Sequence, residues 1–202
     1  MDLYGSSLVV AEAVSREIRF KANIPDARRK PENRVMCVSA EQVVALLDSG
    51  AIRVCELPPA PGTMDKLDRV LRQLREVDAD QAKGVATSQV DSAWKHAGEA
   101  ESIVSAARTI EHGRTAILLT NDGGASRVAQ RHGVPSRHVG NLLAELGCAD
   151  RTLGATKLYD QFTQVTAKFA SVPIDARPAD SAFFECEMTD ATCCRCDSAN
   201  PG

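Results

Sequence analysis

The sequence predicts an α/β fold, a three-layer sandwich with a mainly parallel central sheet. Three observations predict it. "TAILLTND" (115–122) is a continuous apolar run closed by turn residues, as expected of a strand buried on both faces. "AIRVCEL" (51–57) is a second strand-like run, stopped by the breaker "PPAPG". Segments of helical periodicity separate these runs, and strands divided by helices pair in parallel.

Taken in order, "SSLVVAEAVSREIRF" (6–20) opens with a β-branched run and turns helical. Val10, Val14 and Ile18 recur every four residues, while Glu12–Arg16 and Glu17–Lys21 pair across solvent. A polar loop over 21–34 follows. "SAEQVVALLDSG" (39–50) reads as a helix with Ser39 as N-cap, Gln42 at the capping-box position and Gly50 as terminator. Residues 63–83 are charged and helix-prone, with Leu67, Leu71 and Leu74 as their apolar stripe. "EAESIVSAARTIEHG" (99–113) turns Ala100, Ile103, Val104, Ala107 and Ile110 inward. After the strand at 115–122, "GGASRVAQRHG" is a short helix ended by Gly133, and "VPSRHVG" is one further strand. "NLLAELG" and "LGATKLYDQFTQVTAKF" are the last helices. The domain is therefore expected to occupy residues 1–170. Beyond it the composition turns to Pro, Asp, Ser and Cys, so 171–202 is expected to be a flexible, disordered tail.

A chain of 202 residues can bury one core of ordinary size, and 44% hydrophobic with 25% charged residues marks a globular protein. No run of 18 apolar residues exists to span a membrane, and no basic segment followed by an apolar one marks a secretory signal. A cytoplasmic location is the expectation, with Cys37, Cys55 and Cys148 as small core hydrophobes. The net charge of −3 provides no global field for nucleic acid; "DARRKPENR" (26–34) is the one dense basic run, and reads first as a solvated loop.

The chemistry lies in carboxylates. In parallel sheets, ligands sit beyond the carboxyl ends of the strands, where Asp122 follows its strand directly. Glu99, four residues before Ile103, lies within about 40° of it and borders the buried face, whereas Glu101, roughly 200° round, points to water. Glu17 lies on the flank of the first helix. Each acid has a structural reading too: Asp122 or Asn121 as a helix cap, Glu99 as a first-turn acid, Glu17 as half of a surface pair. Clustered at one edge, the three would repel unless a divalent cation neutralised them, and oxygen ligands suit Mg²⁺ or Mn²⁺.

"LYGSSLVVAEAVSREI", "AGEAESIVSAARTIEHGRTAILLTNDGGASRVAQRHGV" and "SRHVGNLLAEL" resemble successive parts of a PIN-like domain, a metal-dependent ribonuclease fold, in its Gly-Glu-Ala-Glu branch. The resemblance covers roughly residues 3–170. It implies that Glu17, Glu99 and Asp122 match the family's second, third and fourth acids. The implied activity is hydrolysis of RNA phosphodiester bonds by one or two Mg²⁺ or Mn²⁺ ions, which activate a water and steady the leaving oxygen. Asp122 and Glu99 would hold the metal, Glu17 would act directly or through water, and Arg127 and Asn121 would touch the substrate. The implied role is the toxin of a toxin–antitoxin pair, with an antitoxin protein and a second copy as partners. The family opens with a central strand ending in aspartate, before the segments matched here. This chain begins at "MDLYG", so the expectation is that the stated start lies downstream of the true one. Without that first acid, the alternative is a catalytically inactive PIN-like module that binds RNA or a protein partner.

Other chemistries are weaker. "NDGGAS" could cradle phosphate, but G-x-G-x-x-G and the P-loop lysine are both missing. Cys186, Cys193, Cys194 and Cys196 fit no standard zinc spacing. His96, His112, His132 and His138 have no G-x-S-x-G elbow to serve.

Overall fold

A computed structural model describes residues 7–81, 95–150, 152–168, 172–173 and 176–185. Seven α-helices dominate these residues, and the only strands among them form two separate two-stranded sheets. The three-layer sandwich with a central sheet is therefore corrected. The chain divides into two compact units, one spanning Tyr4–Arg114 and one from Thr115 onward.

In the first unit, β1 (Val9–Ala11) runs into α1 (Glu12–Ala22) and pairs in parallel with β2 (Arg53–Cys55), Val10 opposite Val54. Between them lies α2 (Arg34–Asp48). Ser39, expected as its cap, is inside the helix; a 3-10 turn over Pro31–Asn33 starts the helix five residues earlier. Gly50 does end the segment, at φ +76°, a conformation glycine adopts without penalty. In the connecting loop Arg29 is a half-buried anchor. It donates to the carbonyls of Ile24 (2.8 Å) and Ala22 (3.2 Å) and ion-pairs with Asp26 and Glu41. The densest basic run thus spends its central arginine on structure.

α3 (Pro61–Gln81) and α4 (Ala97–Glu111) form the other half of this unit. They are antiparallel: Thr63 accepts from Arg108 at 2.6 Å and Lys66 pairs with Glu111 at one end, while Asp78 binds Lys95 (2.6 Å) and His96 (2.8 Å) at the other. Burial would raise the Asp78 carboxyl, but the hydrogen bonds from Lys95 and His96 together hold it below the usual carboxylate range. Val70, Leu74, Val77, Ile103, Val104 and Ala107 are the buried apolar residues between helices. The core is thus helix against helix, and β1–β2 lies beside it as a two-strand fragment.

In the second unit, β3 (Leu118–Leu119) pairs in parallel with β4 (Ser136–Arg137) across α5 (Gly123–Arg131). α6 (Val139–Ala149) and α7 (Ala155–Lys168) follow. The apolar run expected as a doubly buried strand forms only two paired residues. Leu118 is buried, but Ile117 and Leu119, whose side chains alternate to the opposite face, are exposed, so the run is covered on one face only. Part of the expected tail, residues 172–173 and 176–185, is packed. Val172 and Phe184 are buried with Leu158 and Phe162 in this unit's core, so packed structure runs on to the 3-10 turn at Ser181–Phe184. Cys186, Cys193, Cys194 and Cys196 lie outside the described residues.

Candidate functional site

Asp122 is the N-cap of α5: its Oδ1 accepts the Ala125 N–H at 2.7 Å. The strand-to-helix turn aims it as the sequence suggests, and the backbone donors of the helix claim one carboxylate oxygen. Asn121 Oδ1 accepts the Val139 N–H at 2.9 Å, tying the end of β3 to the start of α6. Arg127 is exposed on α5. In the first unit, Glu17 is an exposed surface acid bonded to Lys21 Nζ at 2.7 Å. Glu99 stands half-exposed in the first turn of α4, where an acid favours the helix dipole. Gly98 beside it packs against α1 so closely that an added Cβ would come within 2.8 Å of Val14 Cγ2. The helices bearing Glu17 and Glu99 therefore touch, whereas Asp122 belongs to the other unit. Among the described residues, no three His, Cys, Asp or Glu side chains form a group able to hold a metal ion.

The assignment of Glu101 to solvent is reversed. Its carboxylate is largely covered, its Oε2 accepts the Ala13 N–H at 2.8 Å, and Oε1 lies 3.7 Å from Arg16. The reason is local to α1. Ala11 at its N-cap has no side-chain acceptor, so the first-turn N–H groups need a carboxylate from elsewhere. "VVAEAV", a strand running into a helix with no Ser, Thr, Asp or Asn between them, is the sequence signal for such a remote cap.

The second unit holds two further polar devices. Arg137 Nε donates to Glu145 Oε1 at 3.0 Å, with only 6% and 21% of the two side chains exposed. His138 caps α6: its Nδ1 accepts the Gly140 N–H at 3.0 Å, while Asn141 Oδ1 accepts the His138 N–H at 3.0 Å. Any side chain at residue 140 would meet the ring, since an added Cβ falls 2.8 Å from His138 Cε1.

Two expected results follow from these caps. Asp122→Ala lowers stability by about 1 kcal/mol in a denaturant titration, whereas Asp122→Asn, an equal cap, leaves it within a few tenths. Burial, and then the Arg137 charge, lower the pKa of His138, which must be neutral at Nδ1 to accept. The unfolded chain binds that proton at about 6.5, and the folded chain resists it to lower pH. Stability is therefore flat in this respect above about pH 7 and falls as pH drops below about 6.5, levelling off once the folded ring also protonates. Denaturant midpoints between pH 7.5 and 5.5 measure this, and His138→Asn, which keeps an acceptor, removes that part of the slope.

No family model, no curated protein and no solved structure matches this chain.

Proposed function

We propose that the chain is a catalytically silent module that acts by binding protein through the outer face of α2. One observation carries this reading. α2 gathers its charges, Arg34, Glu41 and Asp48, on one flank and buries one side, through Cys37, Ala40 and Leu47. On the side opposite the buried one Val35, Val38 and Leu46 are 46%, 44% and 45% exposed. A surface helix normally turns polar residues away from its core, and an apolar stripe exposed there marks a contact. The test is the native size of the chain in extracts of its own cells. It should migrate well above its own 21.6 kDa, and Val38→Glu should collapse it to that mass. A wild-type chain migrating as a 21.6 kDa monomer contradicts the reading.

A second reading is metal-dependent hydrolysis of RNA, with Glu17 and Glu99 as acidic residues and Mg²⁺ or Mn²⁺ as cofactor. The observation that favours it is the direct packing of α1 on α4 beside Glu99, together with the weakness of the exposed Glu17–Lys21 pair, which a cation could displace. Titration with Mn²⁺ and incubation with single-stranded RNA separate the two. Cleavage that is lost in a stably folded Glu99→Gln establishes the nuclease, and a chain that neither binds Mn²⁺ nor cleaves is the silent module.

A further inference from the structure

Resting on the α2 reading above, we infer that the occupant of this face is a second copy of the chain, its α2 antiparallel to the first. Val35, Val38, Gln42 and Ala45 follow the three-four spacing of a helix–helix seam, and Leu46 borders it. These five residues lie within about 100° of arc and span roughly 16 Å, opposite the buried side. All five are exposed.

The face is complementary to itself in one orientation. A two-fold axis across the seam sets Val35 against Ala45 and Leu46 of the other copy, and Val38 against Gln42. Gln42 is the only polar residue in the stripe and both donates and accepts. The charges decide the direction. Arg34, Glu41 and Asp48 recur every seven residues along a single flank of the stripe. Antiparallel helices bring like flanks together, so Arg34 of each copy meets Asp48 of the other, at both ends. Glu41, midway, is already paired with Arg29, and Asp48 Oδ1 takes Arg19 of its own chain at 2.7 Å. That second pair is exposed and weak, so Asp48 can share its charge with the Arg34 of the other copy. Parallel helices would face this flank with the opposite one, where Ser39 and Leu46 offer no countercharge. The antiparallel arrangement also opposes the two helix dipoles favourably.

The experiment is sedimentation of the purified full chain over a dilution series. The wild type should be a reversible dimer. Val38→Glu and Gln42→Lys, both at exposed positions and checked for unchanged helicity, should each weaken it at least about tenfold, since each buries a charge without a partner. The double variant should recover the dimer, because in the antiparallel pair each introduced carboxylate faces the introduced ammonium of the other copy. A wild type that is monomeric at every concentration overturns the inference, as does a dimer insensitive to both substitutions or a double variant that fails to recover. A purified monomer whose native complex still depends on Val38 overturns the second copy as occupant while sparing the protein-binding reading.

Discussion

Phe184→Ala lowers stability by about 3–5 kcal/mol, the usual cost of emptying a buried aromatic site. Phe184 is almost fully buried and sits among Leu158, Phe162 and Val172. Its ring is 5.1 Å from Phe183 in an edge contact, 6.1 Å from Phe162 and 6.3 Å from Tyr159. A loss of that size is a large fraction of the roughly 5–15 kcal/mol that holds a domain together. Urea unfolding followed by circular dichroism measures it. A change below about 1 kcal/mol would mean that residues 176–185 do not pack as described, and that the domain does end near residue 170.

Glu145→Leu is expected to cost about 3–5 kcal/mol, the penalty for breaking a buried pair by removing one partner. The substitution leaves the Arg137 guanidinium covered at a position where β4 turns into α6. Replacing the two together by Arg137→Met and Glu145→Leu should recover much of the loss, since apolar groups of similar volume carry no desolvation penalty. A double variant no better than the single would show that Arg137 acts through its other bonds, that to the Ser136 carbonyl among them, rather than through Glu145.

The helices were the legible part of this molecule. Long 3.6-residue periodicity placed α1, α3, α4 and α7 near their observed limits, and of the inward set, Ala100, Ile103, Val104 and Ala107 are buried while Ile110 is half-buried. Gly50 and Gly133 both adopt positive φ as terminators. The sheet was not legible, because a short apolar run such as "AILL" has the same composition whether covered on two faces or one. What packs on each face decides, and among the described residues Leu118 is buried on one face while Ile117 and Leu119 are exposed on the other. Val172 and Phe184 were hidden because proline- and aspartate-rich surroundings mask isolated apolar anchors.

At the candidate site, the turn that presents Asp122 could be read from "LLTNDGG", and its capping role was one of the two readings that the residue itself allowed. The contrast between Glu99 and Glu101 was misjudged for a general reason. A helical wheel locates a residue relative to its own helix's core and says nothing of a neighbouring helix whose first N–H groups lack an acceptor. Ala11 at the N-cap of α1 creates that need, and Glu101 meets it. The outer face of α2 was partly concealed by the expected start at Ser39, which left Val35 and Val38 outside any element instead of on the stripe they share with Leu46.

The claim that α2 is the seam between two copies of the chain is tested most directly by methyl NMR of the full chain across a dilution series. The methyl resonances of Val35, Val38 and Leu46 should move with concentration, while those of the buried Val70 and Leu74 stay fixed. Resonances that ignore concentration at all five residues, or that move only at other exposed methyl groups such as those of Val9 and Val54, would contradict it.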